Sequence, residues 1–245
     1  MKVLFWGTPD FAVPTLRALS EEGHQIVGDV TQPDRPAGRG RTVGSGPVKK
    51  EALAQGIPVW QPESPEDPDF LEALRALEPD VSVVTAYGER LPKEALELPR
   101  HGSLNVHASL LPQLRGAAPV HWAILRGLSR TGVTIMRMAE RMDTGPVLYQ
   151  VPLEIGPEMT AAELGDQLAE LGASALIEAL SLLEAGELRE SRQDDALATR
   201  APKLSVDAAR LDWRKPGEEL ARWMRGCDPA PGAWTELDGK RVKLF

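Results

Sequence analysis

Cysteine occurs once, at Cys227, which excludes an internal disulfide and any zinc site built from several cysteines. No run of eighteen apolar residues exists, so no segment has the length and composition of a membrane-spanning helix, and no membrane partner is expected. The opening Met1-Lys-Val-Leu-Phe-Trp-Gly7 turns to Gly-Thr-Pro too early for the apolar region of a secretory signal. The cytoplasm is the expected compartment. The histidines do not pair with carboxylates at metal-ligand spacing, so no metal is expected. A net charge of −8 excludes a protein that coats nucleic acid with its whole surface, and any RNA contact must be local. Arginine outnumbers lysine twenty to eight, a balance that fits a thermophilic source and equally a GC-rich genome. Asparagine also occurs only once among 245 residues, at Asn105, where ordinary usage gives several.

Apolar residues make up 42% of the chain, an ordinary globular share, and the length allows one sizeable core or one domain with a smaller appendage. Lys2 to Trp6 reads as a short apolar strand that turns at Gly7-Thr-Pro9 into a helix through Leu19, with Gln25 to Thr31 as a second strand. That is the βαβ pattern of a parallel sheet. Gly7 has no Gly-x-Gly-x-x-Gly partners, so a Rossmann-like sheet without a dinucleotide is expected. Helices are predicted over 47–55, 67–77, 120–126 and 160–185, with helices on both faces of the sheet, and strands over 57–60, 81–86, 131–138 and 147–155. Thr160-Ala-Ala-Glu163 is a capping signature. Gln32 to Pro47, rich in Gly, Pro and Arg, reads as a long mobile loop; a solvated loop and a phosphate-touching arm fit its composition equally.

The stretch from Leu104 to Pro119 organises the rest. Leu104-Asn-Val-His107 reads as a short strand, so Asn105 and His107 point to one face, an amide donor beside an imidazole. Such a pair suits a carbonyl whose oxygen becomes negative during attack, and it suits plain hydrogen bonding to backbone as well. Ser109-Leu-Leu-Pro112 and Arg115-Gly-Ala-Ala-Pro119 then form a loop at the carboxyl end of that strand, where open α/β sheets bind ligands. A lone acid in a turn, as in Met142-Asp-Thr-Gly145, commonly caps backbone.

Asn105-Val-His-Ala-Ser-Leu-Leu-Pro-Gln-Leu-Arg-Gly-Ala-Ala-Pro119, followed by Gly132-Val-Thr-Ile-Met136 and Met142-Asp-Thr-Gly145, resembles the 10-formyltetrahydrofolate-dependent formyltransferases. Phe5-Trp-Gly-Thr-Pro-Asp-Phe-Ala-Val-Pro14 and Gln32-Pro-Asp-Arg-Pro-Ala-Gly-Arg-Gly-Arg41 are similar to the branch whose acceptor is methionyl initiator tRNA. The resemblance implies a mostly parallel sheet and formyl transfer from 10-formyltetrahydrofolate to methionyl-tRNA. Asn105 and His107 would steady the oxyanion, and Asp143 would orient His107 and relay the amine's proton. Ser109, Leu110, Leu111, Pro112, Tyr87 and Leu91 would line the folate pocket. Arg35, Arg39 and Arg41 would meet the tRNA acceptor end. Relatives usually carry apolar residues where Glu89 and Arg90 stand, which bears on the shape of that pocket.

Residues 1–200 are expected to be the catalytic domain. Residues 201–245 are expected to be a linker and the start of an OB-like tRNA-binding domain. By resemblance the chain stops at Phe245 where relatives continue, as a truncated or shortened form. The acting form is expected to be a monomer. The alternatives are a formyltransferase of the same fold acting on a nucleotide-sugar or glycinamide ribonucleotide, a formyltetrahydrofolate hydrolase, and a non-catalytic RNA-binding module.

Overall fold

The computed structural model describes residues 1–37 and 42–245. In chain order the elements are β1 (Lys2–Gly7), α1 (Val13–Glu21), β2 (Gln25–Val30), β3 (Pro36–Ala37), β4 (Thr42–Val43), α2 (Pro47–Ala54), β5 (Val59–Trp60), α3 (Pro68–Arg75) and β6 (Val81–Thr85). They continue with α4 (Lys93–Glu97), β7 (Ser103–His107), α5 (Pro119–Leu125), β8 (Arg130–Arg137), β9 (Val147–Glu154), α6 (Ala161–Glu184), α7 (Gly217–Cys227), β10 (Ala233–Leu237) and β11 (Lys240–Leu244). Seven strands make one sheet in the order β5-β2-β1-β6-β7-β8-β9. The pairs from β5 to β7 are parallel, and β8 and β9 add an antiparallel edge.

Alternation along β1 divides the core into two layers. Val3 and Phe5 pack with α1, α2, α5 and α6 on one face, while Leu4 and Trp6 pack with α3 and α4 on the other. Each of these side chains is almost fully removed from water, worth about 1.5–3 kcal/mol apiece before entropy is counted. Helix α6 lies directly on the strand that carries Asn105 and His107. A Cβ on Gly172 would sit 2.8 Å from Val106 Cγ1, so only glycine lets helix and strand approach this closely. The Thr160–Glu163 capping box fixes where α6 begins.

Two expectations need correction. Gln32 to Pro47 is not free of strands: β3 and β4 pair antiparallel within it. Its entrance is also anchored, because Asp34 accepts from Lys49 Nζ at 2.6 Å and from Gln61 Nε2 at 2.9 Å. Helix α4 was not expected, since five residues bracketed by Pro92 and Pro99 give no readable period. The carboxyl-terminal part is α7 followed by a two-stranded antiparallel sheet, β10–β11. Leu125 of α5 joins its small core with Ala209, Leu211, Cys227, Ala233 and Trp234. Burial pushes the Cys227 thiol up to about 11, so it is an inert packing residue. Among the described residues no helix is long and apolar enough to cross a membrane.

Candidate active site

Strand β7 delivers Asn105 and His107 to the carboxyl end of the parallel sheet. Leu104 and Val106 point into the layer under α6, so the two polar side chains alternate onto the opposite face. Asn105 Nδ2 donates to the Val84 carbonyl of neighbouring β6 at 3.2 Å. That uses one of the two amide hydrogens and leaves the other available. His107 is buried, and its Nε2 lies 3.1 Å from the Leu114 carbonyl. A carbonyl only accepts, so Nε2 carries the hydrogen. Nδ1 is then the ring atom free to exchange a proton.

Asp143 faces that atom. Its Oδ1 stands 3.9 Å from His107 Nδ1, beyond hydrogen-bond reach but within range of charge attraction. Its Oδ2 accepts from the Gly116 backbone N–H at 2.7 Å. Asp143 itself is held at φ +55°, a left-handed conformation that non-glycine residues seldom adopt. The segment that follows β7 therefore supplies partners to both: Leu114 to the imidazole, Gly116 to the carboxylate.

The loop after β7 is fixed by the antiparallel edge. Thr134 Oγ1 donates to the Ser109 carbonyl at 2.6 Å and accepts from Leu111 N at 3.0 Å. Gln150 Nε2 donates to both the Leu111 carbonyl and Thr134 Oγ1. Ser109 Oγ is turned inward to the Gln113 carbonyl at 2.6 Å. Leu110 packs on Gly132, Leu111 is buried, and Pro112 is half-buried.

On the other side of β7, Thr8 Oγ1 donates to the Tyr87 carbonyl at 2.8 Å and receives Gln32 N at 3.3 Å, tying the ends of β1, β2 and β6 together. The Tyr87 ring is buried edge-on against Trp6, and burial pushes its phenol up to about 12. Leu91 lines a cleft of about 680 Å³ together with Arg90, Pro92 and Glu140. Arg90 donates to the Glu140 carbonyl at 2.8 Å, three residues before Asp143. A second cleft, of about 430 Å³, lies elsewhere, between Phe11, His121 and Asp228.

Arg35 is exposed, while Arg39 and Arg41 lie outside the described residues. The remaining histidines do not join the site; His121 Nδ1, for example, lies 2.9 Å from the Gly226 carbonyl. No group of three or more His, Cys, Asp or Glu among the described residues is placed to hold a metal ion. Sequence reasoning missed Gln193 and Thr199. Gln193 bonds the backbone of the Asp143 turn, and Thr199 Oγ1 accepts from Leu114 N at 2.9 Å.

A sequence profile described as formyl transferase matches residues 1–180, and one described as the formyl transferase C-terminal domain matches residues 203–245. The methionyl-tRNA formyltransferase of Acidobacterium capsulatum is 50% identical over 245 residues, covering all of this chain and 79% of the relative. The chain belongs to the methionyl-tRNA formyltransferase family. The member from Moorella thermoacetica is 47% identical over the same 245 residues, again covering 79% of its length. Among solved structures, HypX from Aquifex aeolicus in complex with tetrahydrofolic acid shares the fold at a TM-score of 0.75 and 21% identity, over all of this chain and 37% of HypX. The mostly parallel sheet with its antiparallel edge is thus the formyltransferase fold, and the family's C-terminal profile spans α7 and the β10–β11 hairpin.

Proposed function

We propose that the protein transfers the formyl group of 10-formyltetrahydrofolate to the α-amino group of methionyl initiator tRNA, giving formylmethionyl-tRNA for translation initiation. The observation that carries this reading is 50% identity along the whole chain to an enzyme named for this reaction. The geometry around His107 supports it.

In the reaction the amine nitrogen bonds to the formyl carbon and the bond to folate N10 breaks. The amine gives up a proton and N10 takes one, so no net proton is consumed. The free amide hydrogen of Asn105, and the Nδ1–H that His107 gains when its ring takes up a second proton, would donate to the formyl oxygen as it becomes an oxyanion. Asp143, steadied by Gly116, would keep the imidazole in register and carry the amine's proton. Nothing in this scheme asks for a nucleophilic side chain.

Folate would lie along the 109–112 loop, contacting Ser109, Leu110, Leu111 and Pro112, with Tyr87 and Leu91 on the opposite wall. Arg35, Arg39 and Arg41 would meet the acceptor end of the tRNA. Residues 1–200 would form the catalytic domain and 201–245 a linker with part of the tRNA-binding unit. The hairpin supports this with Lys240, Arg241 and Lys243 beside exposed Val242 and Phe245. The protein would act as a monomer in the cytoplasm.

The test is a formylation assay with 10-formyltetrahydrofolate and three acceptors: methionyl initiator tRNA, an amino-sugar nucleotide and glycinamide ribonucleotide. Transfer to the tRNA alone is expected. Faster transfer to either small amine, or hydrolysis of the folate without an acceptor, overturns the assignment.

A further inference from the structure

Gln193 sits in the polar stretch after α6, where a glutamine side chain is ordinarily solvated. Here its amide is fully engaged. Oε1 accepts from Arg115 Nε at 3.0 Å and from Arg115 Nη2 at 2.7 Å. Nε2 donates to the Asp143 carbonyl at 2.9 Å and to the Gly145 carbonyl at 2.7 Å. A guanidinium only donates and a carbonyl only accepts, so this is the one orientation of the amide that satisfies all four partners. Arg115 is itself held on the far side by Asp195 Oδ1 at 2.8 Å.

The backbone on either side of Gln193 follows the same path. Ser191 exchanges backbone hydrogen bonds with Val147, at the end of the Asp143 turn. Arg115 N donates to the Thr199 carbonyl at 2.9 Å, Ala201 N donates to the Arg115 carbonyl at 2.7 Å, and Thr199 Oγ1 receives Leu114 N. The segment 191–201 thus crosses both loops that face His107. Gln193 is its only side chain that bonds the Asp143 turn among the described residues. Asp143 is held twice: its carboxylate by Gly116, its backbone by Gln193. The second hold matters because φ +55° costs a non-glycine residue free energy that surrounding contacts must offset.

We propose that Gln193 is a positioning residue for the reaction, locking the Asp143 turn so that Oδ1 stays aimed at His107 Nδ1. The proposal rests on the assignment of Asp143 to proton transfer given above. Gln193 has no role as a substrate contact in this proposal; its bonds to the Asp143 turn and to Arg115, between Leu114 and Gly116, would act on the rate by way of Asp143.

The experiment is a double-mutant cycle read by single-turnover formylation, using Q193E, Q193M, D143N and the two combined variants. Gln193→Glu keeps an acceptor for Arg115 but sets an oxygen against two carbonyls. Gln193→Met keeps the bulk and removes every hydrogen bond. Each is expected to slow transfer about ten- to hundredfold in the otherwise native chain, the scale of a small misplacement at a reacting centre, with folate KM within about twofold. In the D143N chain the same changes are expected to have almost no further effect, which a merely structural role would not produce. Thermal midpoints, measured for all five variants, set a common assay temperature at which every chain is folded. Wild-type rates in both Gln193 variants, or a loss that persists in full beside D143N, overturn the proposal. D143N at wild-type rate overturns the assignment of Asp143 itself, and this result is distinct from the other two.

Discussion

Gly116 donates its backbone N–H to Oδ2 of Asp143 at 2.7 Å, joining the loop after β7 to the turn before β9. The contact depends on a conformation that only glycine holds easily: φ at Gly116 is +129°, and an added Cβ would come within 2.5 Å of the Ala201 carbonyl oxygen. Gly116→Ala is therefore expected to destabilise the fold by roughly 1–3 kcal/mol and to move the amide that steadies Asp143. A denaturant titration measures the first effect and a formylation rate the second. A variant as stable and as active as the native chain would show that the close approach is dispensable.

Replacing Asn105, His107 or Asp143 by alanine is expected to reduce transfer about a hundredfold or more in each case, the usual loss when an oxyanion donor or its supporting base is removed. Stability should respond differently among the three. His107 is nearly buried and bonded to Leu114, so His107→Ala leaves a small cavity, whereas the half-exposed Asn105 gives up one hydrogen bond to Val84. Rates measured well below each thermal midpoint separate chemistry from folding. Native activity in His107→Ala contradicts the assignment directly.

What could be read from the chain before folding was whatever depended on local period and turn chemistry. Asn105 and His107 sit two apart on a strand, and their shared face follows from that spacing. Asp238 and Gly239 both take positive φ, as a tight hairpin between β10 and β11 requires, and Asp-Gly is a dipeptide that such turns favour. Asp143 was visible only through likeness to known motifs. Its approach to His107 depends on β8 returning antiparallel beside β7 and on the 138–146 turn closing back toward Gly116. Gln193 carried no signal at all, because its partners are backbone carbonyls some fifty residues away and a guanidinium on another loop. Local sequence reports what a residue is, and tertiary return paths decide what it meets.

The basic arm makes a separate prediction about salt. If Arg35, Arg39 and Arg41 neutralise phosphates of the acceptor end, replacing all three by alanine should weaken tRNA binding without changing folate affinity. Each lost phosphate contact should lower the slope of log affinity against log salt by about 0.7 to 0.9. Filter binding across a salt series gives the slope. An unchanged slope places the phosphate contacts elsewhere, for instance on the Lys240–Lys243 hairpin strand.

Asp29 carries the last prediction. It lies on β2 opposite Phe5 and Val59, fully buried, and neither carboxyl oxygen has a hydrogen-bond partner among the described residues. Burial pushes its carboxyl up to about 8. The sign of the linkage follows from that raised value. Below about pH 4 the group is protonated in both folded and unfolded chains and contributes no pH dependence. Between about pH 4 and pH 8 the folded chain keeps the proton that the unfolded chain has lost, so stability falls as pH rises, by at most about 1.4 kcal/mol per unit. Above that window both states are ionised and the difference levels off. Asp29→Val fills a similar volume on a strand without a charge to bury, and it should remove this slope. Its thermal midpoint is expected to exceed the native one by a margin that grows from pH 5 to pH 8, at about 2–4 °C per kcal/mol for a chain of this size. A margin independent of pH would mean that Asp29 finds solvent or a partner when ionised, and that its burial costs the fold little.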